Sequence, residues 1–433
     1  MRSSKLLLFT TITLLVACSC RSQPTPTAKA KSRPAPAPSK VEQPQWTGEQ
    51  PTAEAPTAEQ PGPDQATAEK APGDAAPEPI AGDQANAEKG EADKAPADQP
   101  VAEKDKPAVE QPAPEPAPAP KEPAFGSIER LDPALDELIA PDTKIEKLAD
   151  GFDWSEGPLW QRNGGFLLFS DVPKNVILKW NPADGQVTEF MKPSGYTGTT
   201  PRGGEPGSNG LTFDHQGRLT ICQHGDRRIA RVDANGSWTT LVDRFDGKRL
   251  NSPNDLCFDR AGNLYFTDPP YGLEGKNDDP KKELNFNGVY LLRTNGRLVL
   301  LTKGMTFPNG VALSPDEKTL YVNQSDPNKP IIRAFDVKDD GTLANARVFF
   351  DASHLAPGRK GLPDGLKVDE RGNLFSSGPG GILILSPAGK HLGTINTGES
   401  TANCAWGGDG SDLYITADMY LCRVKTKTKG KMP

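Results

Sequence analysis

Six short polar clusters recur between residues 156 and 403, and their side chains are of the kind that hold a hard cation. They read Glu156-Gly157-Pro158-Leu159, Ser208-Asn209-Gly210-Leu211, Pro253-Asn254-Asp255-Leu256, Pro308-Asn309-Gly310-Val311, Pro363-Asp364-Gly365-Leu366 and Ala402-Asn403-Cys404-Ala405. Two carboxylates, Glu156 and Asp364, stand with four amides, Asn209, Asn254, Asn309 and Asn403. This is an all-oxygen set with no His or Cys ligand spacing beside it. A blander reading makes each Asn-Gly or Asp-Gly pair a strand-entry turn, which leaves Glu156 unexplained. Other chemistries find little support. No Gly-x-Ser-x-Gly elbow is present, and His215, His224, His354 and His391 are scattered, which argues against a serine triad or a His-rich zinc site.

The clusters return at spacings of 39 to 55 residues. After Asn209, Asn254 and Asp364 an Asp follows at the fifth residue (Asp214, Asp259, Asp369), a Gly at the eighth (Gly217, Gly262, Gly372) and a Leu at the tenth (Leu219, Leu264, Leu374). Short apolar runs and Gly/Asp turns fill the intervals, as a four-stranded propeller blade requires. Six copies predict an all-β fold, a six-bladed β-propeller over residues 125–433. In that geometry a residue repeated on each innermost strand becomes a ring around one axis. A helix-like stretch at 132–139 precedes the first blade. The domain cysteines Cys222, Cys257, Cys404 and Cys422 allow three pairings or four isolated thiols. The loop 192–207 and the insertion 273–287 are long for a compact domain, and at least one is expected to roof the ring.

Five stretches carry a resemblance: Trp154-Ser155-Glu156-Gly157-Pro158, the run Arg249-Leu250-Asn251-Ser252-Pro253-Asn254-Asp255, the run Phe266-Thr267-Asp268-Pro269-Pro270-Tyr271-Gly272, Pro308-Asn309-Gly310 and Pro363-Asp364-Gly365. Together they resemble the SMP-30/gluconolactonase/regucalcin-like propellers. Ser252, where animal members carry Arg, and Gln223-His224-Gly225-Asp226-Arg227-Arg228 are similar to the bacterial gluconolactonase branch, although Gln223 replaces its usual Glu. The resemblance implies an axial divalent cation held by Glu156, Asn254, Asn309 and Asp364. Ca²⁺ is the cation expected, with Zn²⁺, Mg²⁺ or Mn²⁺ as substitutes. It further implies lactone hydrolysis, with Asp364 as the nominal base and Asp268 as a second candidate that can equally hold a turn. Asn209, His224, Asn254 and Asp268 are the expected substrate contacts, His224 having a structural role as its alternative.

The N-terminus carries Arg2, Lys5 and an apolar run at 6–16, too short to span a bilayer and typical of a signal peptide. Leu15-Val16-Ala17-Cys18 resembles a lipobox, which would make Cys18 the lipidated first residue of the mature chain. An ordinary signal peptide cut nearby is the alternative. Ser19 after the Cys favours the outer membrane, so the expected location is exported and lipid-anchored, at the outer membrane or the periplasmic side of the cell envelope. Residues 19–124 are rich in Pro, Ala, Glu, Gln and Lys with almost nothing to bury, a composition that predicts a disordered tether. The whole chain carries a net charge of −7. Most of that excess lies in the tether, so the domain has no basic stripe for nucleic acid. The sequence thus predicts a lipid-anchored, metal-dependent hydrolase of a sugar-acid lactone such as gluconolactone. Its rivals are a hydrolase of an aromatic lactone or phosphotriester on the same scaffold, and a non-enzymatic calcium-dependent binding module on a stalk.

Overall fold

A computed structural model describes residues 125–233 and 235–433. The signal peptide, Cys18 and the whole of the tether lie outside the described residues. Six antiparallel sheets follow one another, built on 155–191, 208–242, 256–305, 308–351, 366–396 and 401–425. The first four are four-stranded, as is the last once residues 146–150 join it, and the fifth is five-stranded with residues 127–130. Their innermost strands are Ser155–Gln161, Ser208–Phe213, Leu256–Phe258, Pro308–Leu313, Leu366–Val368 and Thr401–Gly407. Each packs against the innermost strands before and after it, and the sixth returns to the first. The chain is therefore an all-β, six-bladed propeller, as the repeat predicts.

Burial follows from position in the blade. Innermost strands are covered on both faces, so Ser208–Phe213 is buried throughout, whereas the outermost strand Val187–Met191 is largely exposed. The apolar core is divided into six clusters, one at each blade interface. Strand alternation feeds two of them at once. In the third blade Phe266 packs towards Cys222 and Ile229 of the second, while its neighbour Tyr265 packs towards Val311 and Leu320 of the fourth. Burying a side chain of that size is worth roughly 1.5–3 kcal/mol.

The recurring Asp and Gly have a turn function. Asp214 Oδ1 accepts from the main-chain N–H of Gln216 and Arg218, and Asp369 Oδ1 from Arg371 and Asn373. Gly217, Gly262 and Gly372 take the positive φ that closes each hairpin, at +74°, +84° and +85°.

The ring is closed by strands from the N-terminal side. Glu146–Asp150 pairs with Tyr420–Lys425 as the outermost strand of the sixth blade, and Ser127–Arg130 adds a fifth strand to the fifth blade through His391–Asn396. Glu146 and Arg423 support the closure with an ion pair at 2.6 Å. The helix-like stretch is a short 3₁₀ turn, Pro133–Glu137, capped by Asp132, whose side chain accepts from Ala134 N–H. Its Leu135 and the following Leu138 and Ile139 pack under the last two blades. All four domain cysteines are free thiols.

Candidate active site

The repeated cluster sits where the innermost strands depart from regular pairing. Register shifts fall between Glu156 and Leu159, Ser208 and Leu211, Pro308 and Val311, and Thr401 and Asn403. In the third and fifth blades the ladder starts only after the cluster, at Leu256 and Leu366. Such irregularities re-aim a side chain out of the pleat. The glycines that follow are required by close approach between blades. A Cβ on Gly157 would lie 2.2 Å from Asn209 O, one on Gly210 2.7 Å from Asn254 O, and one on Gly310 2.1 Å from Asp364 O. Gly210 and Gly310 donate their N–H to those last two carbonyls at 2.8 and 2.9 Å. The Asn-Gly pairs at 209–210 and 309–310 thus stitch their blades to the next ring residue, which the strand-entry-turn reading misses.

Glu156, Asn209, Asn254, Asn309 and Asn403 are all buried, from 1% to 4% exposed, and Asp364 is half-buried. Glu156 Oε2 accepts from Gly157 N–H at 2.6 Å and from Asn403 Nδ2 at 3.1 Å. Asn309 Nδ2 donates to Ser325 Oγ at 2.8 Å, so its oxygen is the free end of the amide. Asn209 Oδ1 and Asn309 Oδ1 are buried with no hydrogen-bond partner among the described residues. Burial pushes the Glu156 carboxyl up to about 7 against the pull of its two donors. Burial, then the neighbouring charge of Glu156, also raises Asp364 well above the ordinary carboxylate range. Two carboxylates raised by burial and the orphaned oxygen of Asn309 fit a hard cation, which would relieve all three; the orphaned oxygen of Asn209 is left for another donor. Among the described residues no group of three His, Cys, Asp or Glu forms a cation cage, so the amides are essential to any site. Lys367 lies near the ring, with Nζ donating to Leu366 O at 3.0 Å and Asn403 Oδ1 at 3.3 Å.

The raised Glu156 carboxyl makes a prediction for metal-free protein. The folded state holds this proton more tightly than the unfolded chain, so its contribution is full below about pH 4.5 and is lost as pH rises towards 7. The loss amounts to about 3 kcal/mol. In chelator, Tm should therefore fall between pH 4.5 and 7, and added Ca²⁺ should restore it at pH 7. A chelated Tm that is flat or rising across that window would contradict this electrostatic picture.

The other expected site residues lie around the ring. Asp268 is fully buried, with Oδ2 accepting from Asn251 N–H and Oδ1 from Ser252 N–H, both at 2.8 Å. Burial raises it to about 7. These contacts hold the segment leading to Asn254 and describe the structural one of its two expected roles. His224 is fully buried after the second strand of the second blade, beneath the loop 192–207.

That loop is the expected roof. Asn175 Oδ1 accepts from the N–H groups of Ser194, Gly195 and Tyr196, which pins its start. Arg202 donates to Gly225 O at 3.1 Å and to Gly272 O, so its guanidinium spans the second and third blades. Arg202 and Glu205 escaped the sequence reading because neither lies in a repeat. Tyr271, stacked on Phe307 with ring centroids 5.7 Å apart, sits in a quoted motif but had no assigned role. A separate cavity of about 640 Å³ lies at the opposite ends of the innermost strands, where Trp406, Lys367 and the C-terminal Met432 line it.

The model of the SMP-30/gluconolactonase/LRE-like region matches residues 154–418. A gluconolactonase from Zymomonas mobilis is 44% identical over 313 residues, 71% of this chain and 88% of that protein. A lactonohydrolase, oryL, from Aspergillus oryzae is 24% identical over 356 residues, 72% of this chain and 78% of that protein. The solved structure of a gluconolactonase from Xanthomonas campestris superposes with a TM-score of 0.61 at 35% identity, covering 71% of this chain and 98% of the other. With the family match spanning most of the ring and all six blades in place, the chain belongs to the SMP-30/gluconolactonase/LRE-like family.

Proposed function

We propose that this protein is a divalent-cation-dependent lactone hydrolase acting on a sugar-acid lactone such as gluconolactone. The observation that supports it most is the pair of buried, raised carboxylates, Glu156 and Asp364, together with the Asn309 amide oxygen that lacks a donor. The gluconolactonase similarity supplies the reaction class. Glu156, Asn254, Asn309 and Asp364 would hold the cation, and Ca²⁺ suits two carboxylates and two amides. When bound there, the cation supplies positive charge to the acyl oxygen as attack proceeds.

The chain's own groups divide the remaining work. Glu156 is sealed and tied to Gly157 and Asn403, so it anchors. Asp364 is the less completely buried of the two carboxylates and the one that would meet a water and take its proton. Asn209 and His224 would orient the substrate, and the roof loop would exclude bulk water.

Purified protein should hydrolyse glucono-δ-lactone above the spontaneous rate, lose activity in chelator and regain it with Ca²⁺. Asp268→Asn should keep its metal; a large fall in kcat there would mark Asp268 as a base, and near-normal kinetics would leave it holding the turn. No cation-dependent turnover across a broad lactone and ester panel would overturn the enzyme reading in favour of a binding module.

The exported, lipid-anchored location is part of the same proposal and rests on Leu15-Val16-Ala17-Cys18. Wild-type protein should sediment with membranes, and Cys18→Ala should release it or leave it unprocessed. An unmodified mature N-terminus well beyond Cys18, found by mass spectrometry, would rule the anchor out.

A further inference from the structure

His224 presents an unusual combination. Its side chain is fully buried, yet neither Nδ1 nor Nε2 has a hydrogen-bond partner among the described residues. A buried polar group in that state costs stability unless something else satisfies it. The nearest charged group is Glu205 of the roof loop, whose Oε2 lies 3.6 Å from Nδ1. That separation is just beyond a hydrogen bond and within reach of a small loop adjustment, as polar contacts in ligand-free sites commonly are.

The surroundings hold both groups in place. The Arg202 grip on Gly225 O and Gly272 O fixes the loop three residues before Glu205. A Cβ on Gly225 would meet Pro206 O at 2.4 Å, so the loop after Glu205 runs against the turn that carries His224. A Cβ on Gly272 would lie 2.9 Å from His224 Cβ, so the imidazole is packed from the third blade as well.

We propose that Glu205 and His224 form a carboxylate–imidazole pair that selects hydroxylated lactones. Glu205 is the positioning residue. By accepting from Nδ1–H it fixes the neutral tautomer in which Nε2 carries a lone pair. An Nε2 lone pair buried without a partner is satisfied by a hydrogen-bond donor, and a hydroxyl of a sugar-acid lactone would provide one. A lactone without hydroxyls leaves Nε2 unpaired, and the site discriminates against it. The substrate half of this inference rests on the lactonase reading; the pairing of the two side chains does not.

Two measurements on the whole protein test it. In kinetics, Glu205→Gln should lower kcat/KM for glucono-δ-lactone about tenfold more than for δ-valerolactone, which has the same ring and no hydroxyls. The loss should appear mainly in KM, with metal content unchanged and Glu205→Asp restoring part of the difference. Equal losses on both lactones, or none on either, would overturn the selectivity role.

In NMR of protein labelled with ¹⁵N-histidine, the ring signal missing from a His224→Gln variant should show a protonated Nδ1 and a bare Nε2 in wild type. That signal should move in Glu205→Gln. An Nε2-protonated ring, or one indifferent to Glu205, would overturn the pair. Wild-type protein that turns over neither lactone would remove the lactonase reading and the substrate half with it, while the tautomer still decides the pair.

Discussion

Replacing Asp364 by alanine is expected to abolish divalent-cation binding and lactone turnover together while the six blades remain folded. The side chain is one of two carboxylates in the proposed ligand set, and its removal leaves Glu156 as the one anionic ligand to a doubly charged ion. Affinity in oxygen-ligand sites follows ligand charge, so a weakening of roughly 100-fold or more is expected. The backbone at this position does not depend on the carboxylate. Asp364 N–H donates to Ser377 Oγ at 2.8 Å, and its carbonyl accepts from Gly310 N–H and from Asn323 Nδ2. Without a cation the substitution removes the charge that opposes Glu156, so in chelator the variant should melt no lower than wild type. Calorimetric titration and chelated melts test both halves. Undiminished cation stoichiometry in the variant would place the ion elsewhere.

The second large effect is expected at a residue with no side chain. In Gly310→Ala the new methyl would lie 2.1 Å from Asp364 O and 2.8 Å from Gly365 Cα. Both are backbone atoms and cannot rotate aside. The fourth and fifth blades must separate, weakening the Gly310 N–H bond and displacing Asp364 with it. A cost of about 3 kcal/mol or more follows, a loss of several degrees in Tm, and cation affinity should fall as well. Gly304→Ala is the control, since its nearest neighbour would be Thr302 Oγ1 at 3.5 Å. Equal midpoints for the two variants would show that the blades do not approach as closely as described.

Much of the architecture was legible because it repeats. Each of the six clusters stands at or just before the start of an innermost strand, and in three of them the Asp and Gly that follow close the next hairpin. A feature tied to every blade rises above the noise of any single turn. Features that occur once have no such signal. The closing strand Glu146–Asp150 pairs with Tyr420–Lys425 across most of the domain, and nothing in its own residues names so distant a partner. Arg202 and Glu205 act through a loop whose path depends on Asn175 and on backbone carbonyls of two other blades, which composition does not encode. The stretch 132–139 has helical spacing but forms only the 3₁₀ turn Pro133–Glu137, held by Leu135 in the core. The glycines of the repeat were visible, yet their reason was not. A turn former and a point of close approach look alike until the neighbouring blade is in place.

The N-terminal closure has a mechanical consequence. A force applied at residue 125 reaches Ser127–Arg130 first, the outermost strand of its blade, and then Glu146–Asp150, which completes the ring. Both are held on one side by a ladder and on the other by no strand at all. Under tension the propeller therefore opens at its seam, one outer strand after the other, before the innermost strands that carry Glu156, Asn309 and Asp364 feel the load. Tension from residue 125 is thus taken up by the two edge strands before it reaches the axial ring.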